Sequence, residues 1–286
     1  GWRLDAPNML GCNGVDDMNI EIWREFRKEV KKEKPDSYIF GECFFEGTKW
    51  LQGDAFDAVM NYKGFALPLL QWISGYDLHL NPGELPGTAA VQWMKSMMAR
   101  IPFQIRNLQY NCLSTHDIPR FIHRVSGNMK LYKLGLAIQT AFPGVPAIYY
   151  GEEIGLDGGE DPDNRRPMDW NAVEKNSELI AFIAHLANLR KKMAVLQSGA
   201  FVFLHADDEA LSFARFLGED FLIVTANRSE YSKRVKIPVG VLGLPDGLLL
   251  KSLLTMDSLK SVHADVLDLV LAPREVLWLV PARSEI

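Results

Sequence analysis

Through about residue 197 the chain alternates short apolar runs with amphipathic stretches, the pattern of strand and helix units that feed a parallel sheet. Gly1 to Ala6 reads as a strand. Ile20, Ile22, Trp23, Phe26 and Val30 recur at helical spacing, and this stripe predicts a helix that stops before Pro35. Tyr38 to Gly41 (YIFG) is the next buried strand. Phe56 to Met60, Leu108 to Leu113 and Ala147 to Tyr150 are three more candidates, with helical patterns near 89–101, 129–142 and 177–193. In the last of these helices Leu179, Phe182, Ile183, Leu186 and Leu189 share one face, and Gly199 supplies a stop.

Five strands with intervening helices predict an α/β fold, part of a (β/α)8 TIM barrel over residues 1–198, because closing such a barrel takes eight parallel strands. The count itself predicts a fragment, about strands 4–8 of the eight. From Ala200 the pattern changes to short strands at roughly ten-residue spacing, AFVFL, LSFARF, FLIVTA, RVKIP, LLLKSLL and EVLWLV, divided by turn-rich segments. Residues 199–286 are therefore expected to form an all-β antiparallel sandwich domain. The Pro/Gly segment NPGELPG at 81–87 reads as a loop between helices.

Composition narrows the partners. With 48% apolar and 10% aromatic residues the chain can bury a sizeable core. Its net charge of −5 comes from interspersed acids and bases, which argues against nucleic-acid and membrane-surface partners and for a neutral one. No stretch reaches the roughly 20 apolar residues of a membrane-spanning helix. Cys12, Cys43 and Cys112 lack CxxC or metal-ligand spacing, so no zinc site or disulfide framework is expected, and a reducing, cytoplasmic location is the default. Gly1 opens directly on a strand-like segment, from which further chain is expected before it.

Chemistry is sought at the C-terminal ends of the strands, where barrels of this type carry their active sites. Three strands end in acids: Asp5 closes GWRLD, Glu42 closes YIFGE, and Asp117 comes after NLQYNCLSTH. One strand-terminal acid is ordinarily a helix cap or a loop ion pair; three on separate strands of one barrel suggest a shared task. Two carboxylates across a small gap can split glycoside cleavage into two steps, one attacking the anomeric carbon while the other protonates the leaving oxygen and later activates water. Arg3, two residues before Asp5 and on the same strand face, favours an ionised nucleophile, and the apolar neighbours Phe40, Cys43, Phe44 and Phe45 favour a protonated Glu42. Asp117 fits a third role, hydrogen bonding that strengthens in the transition state, with His116 beside it as a second donor or a structural group.

GWRLDAPN, IFGEC and NCLSTHDIPRF resemble three short motifs of the α-amylase family (glycoside hydrolase family 13), in the family's order and on the family's kinds of element. WLQGDAFDAVMNY, PGVPAIYYGEEIGLDGGEDPDNRRPMDW and LANLRKKMAVLQSG are similar to the neopullulanase, cyclomaltodextrinase and maltogenic amylase branch, so that the likeness runs over roughly residues 1–200. The resemblance implies Asp5 as nucleophile, Glu42 as acid/base, Asp117 as transition-state stabiliser, and Arg3 and His116 as supporting contacts. It further implies that Asp161 and Arg165 bind a glucose on the non-reducing side of the scissile bond, against the plainer alternative of a loop salt bridge, and that Asn61 and Tyr62 line a neighbouring subsite, although Tyr62 could equally be core.

Together the motifs imply a hydrolase of α-1,4 bonds, with α-1,6 bonds as a second option, in short α-glucan oligosaccharides, one that needs no redox or organic cofactor. A transglycosylase or isomerase on the same fold and a non-catalytic glucan-binding relative stand as alternatives. The resemblance also implies a third-strand Asp, Asn and His block, a loop that helps to bind calcium, and an N-terminal homodimerisation domain. All three would lie before Gly1, in the missing half of the barrel, and without that half residues 1–286 are not expected to fold or catalyse alone. The sequence departs from the branch where Cys43, Phe44 and Phe45 replace its usual Ile-Trp-His, and where APNMLGCNGVDDMN lengthens the stretch after the nucleophile, with Pro7 and Met9 at positions tied to substrate choice.

Overall fold

The computed structural model describes residues 1–13, 16–255 and 259–284. Its first part is a row of short parallel strands. β1 (Trp2–Leu4), β2 (Ile39–Gly41) and β3 (Ala58–Val59) pair side by side, with Arg3 opposite Phe40 and Phe40 opposite Ala58. β4 (Tyr110–Asn111) and β5 (Val145–Pro146) form a second parallel pair, and a parallel bridge between Met60 and Tyr110 joins the two groups into one row of five. Helices fill three of the four crossovers: α1 (Asn19–Glu33) before β2, α2 (Leu67–Ser74) and α3 (Gly87–Ala99) before β4, and α4 (Met129–Ala141) before β5. The architecture is that of a partial (β/α)8 barrel; five strands do not close one.

Local sequence accounts for these elements. In α1 the predicted stripe turns Trp23 into the core, with Ile20, Phe26 and Val30 packed beside it. Glu21 in its first turn and Lys31 and Lys32 in its last complement the helix dipole. The sequence pattern did not yield α2, because LPLLQWIS is apolar all round: Leu67, Pro68, Leu69, Leu70, Trp72 and Ile73 are all buried, and such a segment has no 3.6-residue periodicity to read. It is entered through a π-helical turn (Tyr62–Ala66) and ends at Gly75, whose φ of 78° lies in the left-handed region that favours glycine.

The strand expected at Ala147–Tyr150 lies two residues earlier, at Val145–Pro146. Only the Ala147 N–H carries the ladder on, to Asn111 O at 2.8 Å. Beyond it the chain leaves the sheet because other partners claim it: the Tyr149 N–H donates to Glu152 Oε2 at 2.8 Å, and both tyrosine rings lie against the Arg120 guanidinium.

After α5 (Ser177–Lys192) and a short helical turn (Ala194–Ser198), antiparallel strands begin at Ala200. They are β6 (Ala200–Ala206), β7 (Ala210–Leu217), β8 (Asp220–Asn227), β9 (Lys233–Pro238), β10 (Leu249–Ser252), β11 (Lys260–His263), β12 (Val266–Leu271) and β13 (Val276–Pro281). Their order is β9-β12-β11-β10-β13-β8-β7-β6. The sheet bends back on itself around a core that includes Ala214, Ile223, Val235, Leu269 and Leu279, the two-layered packing of a sandwich. β11 and β12 are additions to the elements expected from sequence. β12 carried the signal, since Leu267, Leu269 and Leu271 are buried while Asp268 and Val270 face out.

The two parts share one apolar core. Phe142 at the end of α4 meets Phe201 (5.1 Å between ring centroids) and Phe213 (6.1 Å) of the β sheet. Arg215 on β7, fully buried, donates to Ala141 O at 3.0 Å and to Gly199 O at 3.0 Å. Among the described residues no helix is long and apolar enough to cross a membrane.

Candidate active site

The ends of β1, β2 and β4 bring the three predicted acids to one side of the strand row. Period-2 alternation puts Arg3 and Asp5 on a common face of the first strand, and the next strand brings Glu42 alongside, its N–H donating to Leu4 O at 2.9 Å. Arg3 then spans the pair: Nη1 reaches Asp5 Oδ1 and Nη2 reaches Glu42 Oε1, each at 2.5 Å. Its planar fork suits two carboxylates better than an ammonium would. The chain bends sharply after Asp5, with Ala6 at φ 36°, a left-handed conformation costly for a residue with a Cβ, and the bend lets the Ala6 N–H donate to Glu42 Oε2 at 3.2 Å.

The two carboxylates sit in different environments. The Asp5 side chain is 81% exposed and that of Glu42 is 10% exposed. Burial pushes the Glu42 carboxyl above its ordinary range and a hydrogen bond with Asp117 adds to the rise, while the Ala6 N–H and Arg3 oppose it.

Asp117 is held on its other sides by His116 Nε2, 3.0 Å from Oδ2, and by Arg165 Nη2, 3.3 Å from Oδ1. Glu42, His116 and Asp117 bring potential ligand atoms within 4.8 Å of one another. Arg165 also donates through Nε to His116 O at 2.8 Å and pairs with Asp161 Oδ1 at 2.9 Å. Asp161 and Arg165 thus form the ion pair that the sequence suggested, and Arg165 braces Asp117 from the side of the cleft. A cavity of about 180 Å³ opens beside these groups, lined by Arg3, Phe40, Met60, His116, Tyr149 and Tyr150 among others.

Two expected subsite residues lie elsewhere. Asn61 comes directly after Met60 and so faces the opposite side of the strand: its amide donates to Asn111 Oδ1 at 2.8 Å, and it lines a recess with Val59, Met97 and Phe142, away from Arg3. Tyr62 is fully buried, its ring stacked on Phe44 at 4.3 Å and its hydroxyl 3.0 Å from Thr115 Oγ1. In this structure it packs as core. Of the residues that replace Ile-Trp-His, Cys43 is buried, Phe44 covers Tyr62, and Phe45 is 42% exposed. In the lengthened stretch after Asp5, Pro7 is buried and Met9 exposed, while Gly14 and Val15 lie outside the described residues.

Beneath Asp117 lies a buried polar set that sequence reasoning missed: Ser114, Arg120, Glu152 and Asn164. Burial pushes the Glu152 carboxyl up to about 7, against the lowering effects of Ser114, the Tyr149 N–H and Arg120. Charged residues inside an otherwise apolar fold were the available signal, since these side chains are seldom buried unpaired.

Comparison with known proteins agrees with this geometry. A family model described as "Alpha amylase, catalytic domain" matches residues 1–181. A cyclomaltodextrinase of Geobacillus thermopakistaniensis (strain MAS1) is 35% identical over 245 residues, 85% of this chain and 39% of that protein. Neopullulanase 2 of Thermoactinomyces vulgaris is 35% identical over 233 residues, 80% of this chain and 37% of that protein. A solved structure, the debranching enzyme of Nostoc punctiforme, superposes with a TM-score of 0.85 at 30% identity, over 98% of this chain and 58% of that one. The chain therefore spans about two-fifths of the length of the curated relatives it matches. On the extent of the family match and the identity to these relatives, the chain belongs to the α-amylase family.

Proposed function

We propose that the protein is a retaining glycoside hydrolase of α-1,4, and also α-1,6, glucosidic bonds in maltooligosaccharides, cyclodextrins or related α-glucans. The observation that carries this reading is the single Arg3 guanidinium holding an exposed carboxylate and a buried carboxyl together, with Asp117 close beside the buried one. Retention calls for carboxyls about 5 Å apart, closer than the gap that seats a water between them, and one guanidinium bridging both favours the close arrangement.

In this reading Asp5 attacks the anomeric carbon while Glu42 gives its proton to the leaving oxygen, producing a covalent glycosyl-enzyme. Glu42, now ionised, takes a proton from water as that water displaces Asp5, and the sugar leaves with its original anomeric configuration. Asp117, braced by His116 and Arg165, binds ring hydroxyls more strongly as charge develops at the anomeric carbon. These residues supply nucleophile and proton themselves, so the steps call for no redox or organic cofactor; calcium would act on structure.

The relatives named for cyclomaltodextrin, pullulan and maltogenic activity support an α-glucan substrate. Among the described residues the outer edges of β1 and β5 pair with no further strand, which supports a complementary barrel half as this segment's partner. Three free thiols support a reducing, cytoplasmic location. The test tracks the anomer released by the full-length protein from a maltooligosaccharide by proton NMR: an α product appearing first fits double displacement, and a β product appearing first excludes it.

A further inference from the structure

The segment that carries Asp117 rests on buried polar groups to which the hydrolytic reading gives no task. Ser114 donates through Oγ to Glu152 Oε1 at 2.5 Å and accepts the Phe121 N–H at 2.9 Å. Glu152, 1% exposed, takes the Tyr149 N–H on its other oxygen. Asn164, fully buried, donates from one amide nitrogen to Thr115 O at 3.2 Å and to Ile118 O at 3.0 Å, and so brackets the His116–Asp117 pair from both sides. Arg120 ties the halves together, with Nε on Asn164 O at 2.9 Å and Nη1 on Tyr150 O at 2.7 Å.

A buried carboxylate and a buried amide stabilise a fold less readily than apolar groups of the same size, because each must regain the hydrogen bonds it gave up in water. What their bonds fix here is specific. Each of these side-chain bonds ends on residues 114–121 or on the 149–164 stretch that faces the same segment. We propose that Glu152 and Asn164 are positioning residues that set the Asp117 carboxylate against Glu42, acting through Ser114 and through the carbonyls of Thr115 and Ile118. The inference rests on the hydrolytic reading for its kinetic consequence and on geometry alone for its structural one. A misplacement of about 1 Å in such a constellation costs on the order of 10²-fold in rate.

The test uses the full-length protein and the variants Glu152→Gln, Asn164→Ala and Ser114→Ala, the last of which cuts the link to Glu152 without touching a charge. Thermal unfolding identifies the variants that remain folded. In these, kcat on a maltooligosaccharide is expected to fall on the order of 10²-fold with KM little changed. Added to Asp117→Asn they should cost no further activity, since positioning acts only through Asp117. A second readout needs no turnover: as Asp117 raises the Glu42 carboxyl, its carbon-13 titration midpoint should drop when Asp117 is displaced. An unmoved midpoint in folded Ser114→Ala and Glu152→Gln overturns the inference, as does a loss of kcat that multiplies onto Asp117→Asn. A wild-type protein that hydrolyses no α-glucan, yet whose Glu42 midpoint drops in the variants, overturns the hydrolytic reading and leaves the positioning role standing.

Discussion

Replacing Arg3 with Gln tests the carboxylate pair where its electrostatics are most exposed to measurement. Arg3 opposes the burial and the Asp117 hydrogen bond that raise Glu42. Its removal therefore raises the Glu42 carboxyl further. An opposite charge within hydrogen-bond range moves a carboxyl by about 1–3 pH units. Arg3 is 29% exposed and divided between two acids, so its pull on Glu42 is shared. A general acid works while protonated, and activity is lost as pH rises through its folded value. The alkaline limb of kcat/KM should thus move up. Meanwhile kcat at the optimum should fall on the order of 10²-fold because the two carboxylates lose the guanidinium that holds them together. Asp117→Asn should move the same limb down, since it removes a contribution of opposite sign. Initial rates of the full-length protein on a maltooligosaccharide from pH 4 to 10 read both; limbs that stay put, or that move together, refute the assignment of Glu42 as the acid.

Glu42→Gln should slow turnover of natural glucans by about 10²–10⁴-fold and spare aryl glycosides with good leaving groups, which depend less on protonation; equal losses on both substrates would count against Glu42 as proton donor. Tyr62→Phe keeps the ring on Phe44 and removes only the hydroxyl near Thr115, so chemical denaturation should show a loss of about 1 kcal/mol with KM unchanged. A clear rise in KM would restore Tyr62 to the substrate. For Asp57, burial pushes the carboxyl up, but Arg27 at 2.7 Å, the Ile39 N–H at 2.9 Å and Lys31 at 3.1 Å overcome it and leave it lowered. The stability it contributes is present above the ordinary carboxylate range near 3.9 and lost as pH falls through the lowered folded value. Asp57→Asn should cost about 2 kcal/mol at neutral pH and less in acid, read from urea unfolding at the two pH values. Arg215→Met strands the carbonyls of Ala141 and Gly199 and should cost about 3 kcal/mol, with the antiparallel strands losing amide protection together with α4.

How far the sequence could be read depended on whether a residue's environment lies near it in the chain. α1 was legible because Trp23 and its neighbours recur at helical spacing, and Asp5 and Glu42 because each closes an apolar strand. Arg3 was assigned to Asp5 from pleat alternation, but its reach to Glu42, 39 residues away, comes from strand pairing that no local pattern encodes. The same blind spot explains the errors. Asn61 and Tyr62 come after a strand as the candidate acids do, but one points behind the sheet and the other under Phe44. The AIYY run has strand-like composition, and it leaves the sheet because Arg120 and Glu152, distant in sequence or off the strand, bind it more strongly than a ladder would. The β12 strand was readable from its alternation and went unread only because LLLKSLL and EVLWLV bracket it with longer apolar runs.

The site is best understood as one motif placed in two environments. Asp5 and Glu42 are both strand-terminal carboxylates gripped by the same guanidinium, so sequence position and charge partner do not distinguish them. Exposure does: in this segment the Asp5 side chain is 81% exposed, whereas Glu42 is buried beside Asp117, and that burial raises its carboxyl. Environments that push two like groups apart in this way divide acid from nucleophile without any change of residue type. Asp117 is essential to that division, since it both raises Glu42 and depends on a buried scaffold for its own place. The proposed transition-state role of Asp117 and the proton affinity of Glu42 are therefore coupled, and a substitution beneath Asp117 should alter both together.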